Sequence, residues 1–222
     1  MLSRAFRARF AALLRQPLLV LAHWRVSPGL LSIAGLLAMI AAGVGVGARA
    51  LRTAAILTAA GAMLDALDGE LARLTGQASE QGALLDSVCD HLGDFALYMG
   101  LLWYAIATGR SMMELLVPVA LFGSVFASLV RARAAMAQVD LKDAGIFTRC
   151  ERSLVLIAGL LVNAVTAAIV LLALFNLITA AQRMACVRVR LKKSAQAPCG
   201  HRPMAPSLNG AEISPQPFTG VE

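Results

Sequence analysis

The chain has 222 residues, of which 59% are hydrophobic and only 15% are charged. Soluble domains are about 45–50% apolar, so this composition excludes an ordinary soluble domain and indicates an integral membrane protein. The formal net charge of +7 comes from basic residues at the ends of apolar runs, and aromatic residues make up only 5%, which favours an anionic lipid surface over nucleic acid as the partner.

The first predicted element is a basic amphipathic helix within residues 1–25. Four apolar residues share one face of this helix: Phe6, Phe10, Leu13 and Leu14. A helix of this kind lies in the membrane interface. We prefer this interpretation to a signal peptide, because arginines interrupt the apolar segment and Pro17 breaks it before any cleavage site.

Apolar segments that approach the roughly 20 residues needed to cross a bilayer follow along the chain. The first four predicted spans cover residues 29–48, 53–72, 83–108 and 112–130. The stretch 153–182 is ambiguous, with Asn163 as a soft interruption. One helix of that length would measure about 45 Å against a hydrocarbon core of about 30 Å, whereas two helices would both be short.

The distribution of positive charge decides between these readings. Six spans place both termini and most basic residues on the cytoplasmic side, whereas five would put the basic tail outside, against the positive-inside rule. The predicted fold is therefore all-α. Residues 26–185 form a polytopic domain of six transmembrane helices, preceded by the interfacial helix, and residues 186–222 form a basic and then disordered cytoplasmic tail.

Seven of the thirteen acidic residues lie between Asp65 and Asp94, within apolar sequence. A carboxylate is costly in hydrocarbon, so these residues predict a functional site. Asp65 and Asp68 share a face at the end of the second span, and Asp86 and Asp90 share a face at the start of the antiparallel third span. Converging carboxylates favour two Mg²⁺ or Mn²⁺ ions, which suit phosphoryl-group transfer.

The residues beside these carboxylates agree with a bulky phosphorylated ligand. Gly69, Ala72 and Gly82 have small side chains or none, so a bulky ligand can approach the backbone there. Arg73 provides a cation suited to a phosphate. Intramembrane carboxylates also serve ion-coupled transporters, so a transporter or a non-catalytic membrane protein is the alternative.

At these residues the sequence resembles the CDP-alcohol phosphatidyltransferase family. The family signature, D-x2-D-G-x2-A-R-x8-G-x3-D-x3-D, is matched in one register without substitution, which is a highly specific agreement. The matching residues are Asp65, Asp68, Gly69, Ala72, Arg73, Gly82, Asp86 and Asp90. The segment from Ser27 to Ser32 stands where the family often has Pro-Asn-x-x-Thr, and Gly29 and Ser32 depart from that form.

The resemblance implies a transferase of phospholipid biosynthesis that moves a phosphatidyl group from CDP-diacylglycerol to the hydroxyl of an alcohol and releases CMP. It implies metal ligands at Asp65, Asp68, Asp86 and Asp90, and a general base at Asp90. It also implies contacts to the CDP-lipid from Asp65, Gly69, Ala72, Arg73 and Gly82. The expected setting is a bacterial-type plasma membrane with the site on the cytoplasmic side, and a homodimer is a family expectation.

Arginines downstream bear on the choice of alcohol. Arg131 and Arg133 end the fourth span, and Arg149 and Arg152 follow it. They are read either as positive-inside anchors or as a cationic pocket for a phosphorylated acceptor. The stretch resembles family members that make phosphatidylinositol phosphate, so we expect Arg131, Arg133 and Arg152 to bind the phosphate of inositol phosphate. Glycerol 3-phosphate, the acceptor of phosphatidylglycerophosphate synthases, is the alternative.

Two polar residues of the acidic stretch lie outside the signature. Asp94 is one helical turn beyond Asp90 on the same face. It is expected either to contact the metal-binding residues without binding the metal itself or to border a polar cavity. His91 belongs to no metal pattern and is interpreted as a packing or hydrogen-bonding residue.

Overall fold

The computed structural model describes residues 16–137, 139 and 149–196, with side chains as far as residue 190. This part of the chain is helical and has seven helices, which confirms the all-α class. They are α1 (residues 16–23), α2 (Pro28–Gly47), α3 (Leu51–Leu74), α4 (Glu80–Ala107), α5 (Ser111–Met136), α6 (Arg149–Leu161) and α7 (Val165–Gln196).

The helices pack as a bundle with two unlike ends. α2 packs against α3 and α4, α5 packs against α4 and α7, and α6 joins α3 to α7. The main apolar core lies at one end and includes Val46, Leu101, Val117, Leu160 and Ile169, all buried. We call this the core end. The opposite end, which holds the acidic residues of α3 and α4, is called the carboxylate end.

α2 and α4 cross at unusually short range through glycine. A Cβ atom on Gly100 would collide with the carbonyl of Gly43, and a Cβ on Gly43 would collide with the carbonyl of Ala96. Since every other residue carries a Cβ, this approach requires glycine on both helices. The close crossing fixes α4, and with it the acidic residues, against α2.

Three helices are long and apolar enough to cross a membrane: Pro28–Gly47, Ser111–Met136 and Val165–Arg190. α3 and α4 have sufficient length, 24 and 28 residues, but they carry the carboxylates. α6 has only 13 residues and would measure about 20 Å, less than a hydrocarbon core of about 30 Å. Length and composition thus support three of the six predicted spans. The spans assigned to α3, α4 and α6 stay predictions.

The ambiguous stretch 153–182 does form two helices. α6 ends at Leu161 and α7 begins at Val165, with Asn163 between them in the left-handed conformation at φ 60°. The expectation that the last helix is short is wrong, because α7 has 32 residues and continues to Gln196. The basic start of the predicted tail therefore prolongs the last helix, and residues 197–222 lie outside the described part.

α1 packs at the carboxylate end of the bundle. Leu18 is buried against Leu31 of α2 and against Leu67 and Leu71 of α3. Residues 1–15, with all four residues of the predicted amphipathic face, lie outside the described residues, so the interfacial helix stays a prediction.

Candidate active site

A cavity of about 160 Å³ opens at the carboxylate end between α2, α3, α4 and α6. Its polar walls carry Asp65 from α3, Asp86 and Asp90 from α4, and Arg149 from α6. Apolar residues line it as well, with Met39 of α2 among them. The cavity therefore offers a ligand both charged groups and apolar surface.

Three carboxylates form a compact group in this cavity. Asp65, Asp68 and Asp86 each offer an oxygen atom, and these atoms lie within 4.8 Å of one another. Asp68 is only 3% exposed, and the other two are half-buried. Three like charges at this range repel in a site of limited water access, and oxygen donors are the ligands that Mg²⁺ and Mn²⁺ prefer. The donor set therefore fits a divalent cation.

The fourth carboxylate of the signature has a different partner. Asp90 lines the same cavity, but it forms an ion pair with Arg149 at the start of α6. The guanidinium of Arg149 also lies 3.4 Å from Oδ1 of Asp65. One arginine thus reaches α3 and α4 together and offsets part of their negative charge.

Ser32 of α2 supports the carboxylate group from the side. Its hydroxyl donates a hydrogen bond of 2.6 Å to Oδ2 of Asp68, and the residue is 7% exposed. A hydrogen bond to a charged acceptor is stronger than one between neutral groups and fixes the orientation of the carboxylate. Ser32 therefore links α2 directly to the acidic residues of α3.

The two signature glycines have open space around them. A Cβ on Gly69 would meet only the guanidinium of Arg73, at 3.8 Å, and a Cβ on Gly82 would lie 3.2 Å from Oγ of Ser79. Packing within the protein therefore does not demand glycine at Gly69, and at Gly82 the one close neighbour is a single hydroxyl. Their surface is free to receive a ligand.

Arg73 lies outside the cavity walls. It is exposed and forms an ion pair of 2.9 Å with Glu70, one turn earlier on α3. Ala72 beside it is half-buried. These residues, with the two glycines, lie toward the α3–α4 connection, next to the carboxylate group but not inside it.

The three predicted acceptor arginines differ in their surroundings. Arg131 and Arg133 are exposed near the end of α5. Arg152 borders a second, smaller cavity of about 20 Å³ together with Asp94 and Arg149. The structure thus brings one of the three predicted residues close to the carboxylates, and it adds Arg149, which was not in the predicted set.

The family comparison agrees with this geometry. Residues 25–190 match the family model described as CDP-alcohol phosphatidyltransferase. The chain belongs to the CDP-alcohol phosphatidyltransferase family. This membership makes it an enzyme of phospholipid biosynthesis and sets aside the transporter interpretation.

Two relatives of this phosphatidyltransferase have named products. An archaetidylinositol phosphate synthase from Pyrococcus horikoshii is 38% identical over 139 residues, which cover 63% of this chain and 71% of that protein. A phosphatidylinositol phosphate synthase from Mycobacteroides abscessus is 34% identical over 135 residues, which cover 57% of this chain and 61% of that protein. The alignment with the second relative thus spans less than two thirds of its length.

The fold of this phosphatidyltransferase is also that of a solved relative. Phosphatidylinositol phosphate synthase from Mycobacterium tuberculosis is 27% identical, and its crystal structure with CDP-DAG bound matches with a TM-score of 0.70, covering 78% of this chain and 92% of that one. The same enzyme in complex with manganese and citrate matches with a TM-score of 0.71, covering 79% and 88%. Both structures of that enzyme share the helical architecture of this chain. Together with the three helices that are long and apolar enough to cross a bilayer, this makes the chain an integral membrane protein with several helical spans.

Sequence reasoning missed Arg149 and Ser32 as site residues. Arg149 was considered only as a membrane anchor or as part of a cationic pocket for the acceptor, because no spacing rule relates the start of α6 to the acids of α3 and α4. Ser32 carried a weak signal, since it keeps a hydroxyl where the family often has threonine. His91, interpreted as a packing or hydrogen-bonding residue, is exposed at the surface of α4.

Proposed function

We propose that this chain transfers a phosphatidyl group from CDP-DAG to the hydroxyl of inositol phosphate and releases CMP. The observation that carries the proposal is the convergence of three signature carboxylates beside a cavity of about 160 Å³. The names of the relatives support the acceptor, because two are inositol phosphate lipid synthases and the solved relative was crystallised with CDP-DAG.

Metal binding belongs to this proposal. Asp65, Asp68 and Asp86 are the proposed ligands of two Mg²⁺ or Mn²⁺ ions, with Asp90 completing the site. The manganese complex of the solved relative and the three converging oxygens in this chain support the assignment. When bound, the ions neutralise the diphosphate and stabilise the departing CMP.

Asp90 is the proposed general base. Its carboxylate takes the proton of the attacking hydroxyl, whose oxygen forms a bond to the β-phosphorus as the bond to the CMP oxygen breaks. Its place on the wall of the main cavity, beside the three converging carboxylates, supports this role.

The remaining site residues have binding roles in this proposal. Asp65, Gly69, Ala72, Arg73 and Gly82 contact the CDP-lipid, and the open space at Gly69 supports that assignment. Arg131, Arg133 and Arg152 bind the phosphate of the acceptor. Arg152 is favoured over the other two, because it borders a cavity together with Arg149, whereas Arg131 and Arg133 lie near the end of α5.

The proposed setting is a bacterial-type plasma membrane, which α2 to α7 cross six times with the carboxylate end on the cytoplasmic side. Inside this arrangement α3 and α4 are spans whose carboxylates face the cavity, and α6 is a short span. The water-soluble acceptor then enters from the cytoplasm. The active enzyme is proposed to be a homodimer.

The test is CMP release by the purified full chain from CDP-DAG with Mg²⁺. Inositol phosphate and glycerol 3-phosphate are supplied side by side. We expect turnover with inositol phosphate, and we expect Asp90→Asn to lower it by about 10²- to 10⁴-fold, the range for loss of a general base. Glu80→Gln is the matched control, an exposed acidic residue in the first turn of the same helix, and should stay within about twofold.

Two outcomes would contradict the proposal. Full activity of Asp90→Asn would remove the assigned base. Turnover with glycerol 3-phosphate alone would keep the reaction and reassign the acceptor.

A further inference from the structure

Three side chains form a polar connection from α6 through α5 to α4. Arg152 donates a hydrogen bond to Oγ of Ser124, and Ser124 donates one of 3.2 Å to Oδ2 of Asp94. Ser124 is 1% exposed. A guanidinium and a carboxylate are therefore joined through one buried hydroxyl group.

This connection lies between the two cavities. Asp94 lines the main cavity and also borders the smaller one, where Arg152 and Arg149 lie. Arg152 is one helical turn beyond Arg149, which already contacts Asp90 and Asp65. The connection thus ends in a guanidinium one helical turn from the arginine that pairs with the proposed base.

The hydroxyl group of Ser124 donates to Asp94 and accepts from Arg152, so each contact fixes the orientation of the other. A serine hydroxyl has one proton to donate, and when Asp94 accepts it, the oxygen lone pairs are turned to Arg152. Without Asp94, the hydroxyl is free to rotate toward another acceptor, and the guanidinium loses a fixed partner. An arginine side chain has many rotamers, so a fixed partner decides whether its other donors are ready for an anion.

Asp94 does not belong to the group of three converging carboxylates. Among the described residues, that group contains Asp65, Asp68 and Asp86. Asp94 is engaged by Ser124 instead, on the side of the cavity that faces α5 and α6. Its contacts therefore match a role toward the arginine rather than a role as a further metal ligand.

We propose that Asp94 is a positioning residue, which through Ser124 holds Arg152 where it binds the phosphate of the acceptor. The inference rests on the proposed function, since it assigns the acceptor phosphate to Arg152. Asp94 itself does not touch the reacting atoms. Its effect falls on the binding of the acceptor and not on CDP-DAG.

The test compares Asp94→Ala, Ser124→Ala, Arg152→Gln and the double variant Asp94→Ala/Arg152→Gln in the full-length enzyme. The KM for inositol phosphate, the KM for CDP-DAG and the Mg²⁺ dependence of CMP release are measured for each. We expect Asp94→Ala and Ser124→Ala to raise the KM for inositol phosphate by about tenfold, the effect of losing one hydrogen bond to a charged group. The other two quantities should not change.

The double variant separates positioning from an independent role. If Asp94 acts through Arg152, adding Asp94→Ala to Arg152→Gln changes the acceptor KM by less than about twofold, because the partner is already gone. Asp94→Asn, which still accepts the hydrogen bond from Ser124, should raise the KM less than Asp94→Ala does.

Thr58→Ala is the matched control. Thr58 is a buried hydroxyl residue that borders the same small cavity, but it donates to the carbonyl of Ala54 in its own helix, at 2.8 Å. This variant should leave the acceptor KM within about twofold.

Specific results would overturn the inference. They are an unchanged acceptor KM in Ser124→Ala, effects that multiply in the double variant, or a shifted Mg²⁺ dependence in Asp94→Ala. If Asp94→Ala does not fold, Ser124→Ala decides alone. Wild-type enzyme that releases no CMP with either phosphorylated acceptor would refute the proposed function, which is a different result from wild-type turnover with insensitive variants.

Discussion

Ser32 and Arg149 determine the electrostatic state of the cavity before any substrate arrives. Ser32 engages one oxygen of Asp68, and Arg149 contacts Asp90 and Asp65. The carboxylate oxygens in these contacts are thus held by partners on other helices. Side chains that orient ligands in this way tune metal affinity without contacting the metal themselves.

Replacing Ser32 tests this orientation. Ser32→Ala removes the hydrogen bond of 2.6 Å to Asp68, so we expect the Mn²⁺ concentration for half-maximal CMP release to rise by about tenfold. Ser153→Ala is the control, because this cavity serine donates to the backbone carbonyl of Arg149 and not to a carboxylate. An unchanged Mn²⁺ requirement in Ser32→Ala would show that the contact does not matter for metal binding.

Gly69 gives a second test at the same scale, one that separates stability from binding. In Gly69→Ala the new methyl group meets only Arg73, so the fold should gain about 0.5–1 kcal/mol from better helix propensity. If the CDP-lipid contacts this backbone, the same methyl should cost binding about 1–3 kcal/mol, a rise of roughly 5- to 150-fold in the KM for CDP-DAG. The thermal midpoint and the KM are measured together, and an unchanged KM would remove Gly69 from the lipid site.

The site could be predicted from the sequence only where its residues are close in the chain. Asp65 and Asp68 share a helix face by spacing, and Asp86 follows on the next antiparallel helix, so their convergence was predictable. Arg149 and Ser124 reach the site from later helices. Their contacts depend on how α4, α5 and α6 pack, which no spacing in one sequence reveals.

At the scale of elements, hydropathy located the helices but misjudged some of their ends. The predicted span 29–48 agrees with α2, and 83–108 agrees closely with α4. The prediction for α5 stopped at residue 130, where arginines lower the hydropathy, although the helix continues to Met136. Backbone hydrogen bonds and long side chains that reach water let a helix run past the point where apolar character ends.

The α2–α4 crossing carries a prediction about packing. Gly100→Ala should lower the free energy of unfolding by about 1–3 kcal/mol, because its Cβ would overlap the backbone of Gly43. Gly45→Ala is the control on α2, since a Cβ there would lie 3.4 Å from the Cβ of Ala54, an ordinary contact. Thermal unfolding of the purified variants measures both, and equal midpoints would show that the helices separate at no cost.

On the scale of the whole molecule, the core end is tied together by arginines. Arg49 donates a hydrogen bond of 2.6 Å to the carbonyl of Ala107, and Arg110 donates one of 2.9 Å to Oγ1 of Thr166. These bonds join the α2–α3 connection to the end of α4, and the α4–α5 connection to the start of α7. These hydrogen bonds therefore hold the helices together at the core end, whereas the cavity lies at the carboxylate end.

The proposed topology predicts opposite accessibility for two exposed positions. In a background without the native cysteines, Arg52→Cys at the start of α3 should react with a membrane-impermeant maleimide in intact cells. Gln77→Cys, in the α3–α4 connection, should react only in inverted vesicles, because α3 lies between the two positions. Labelling of both from one side would mean that α3 does not cross the membrane.

The length of α7 has a consequence for how the enzyme stands in its bilayer. Its 32 residues measure about 48 Å, roughly 18 Å more than the hydrocarbon core, so its last turns extend past the acyl chains. They carry Arg188 and Arg190, both exposed, into the layer of lipid phosphates, where each basic residue contributes about 1 kcal/mol of attraction to an anionic surface. The end of the last helix thus helps to set how deep the enzyme lies in the bilayer. Anionic lipids, the kind that the proposed reaction makes, contribute to that position.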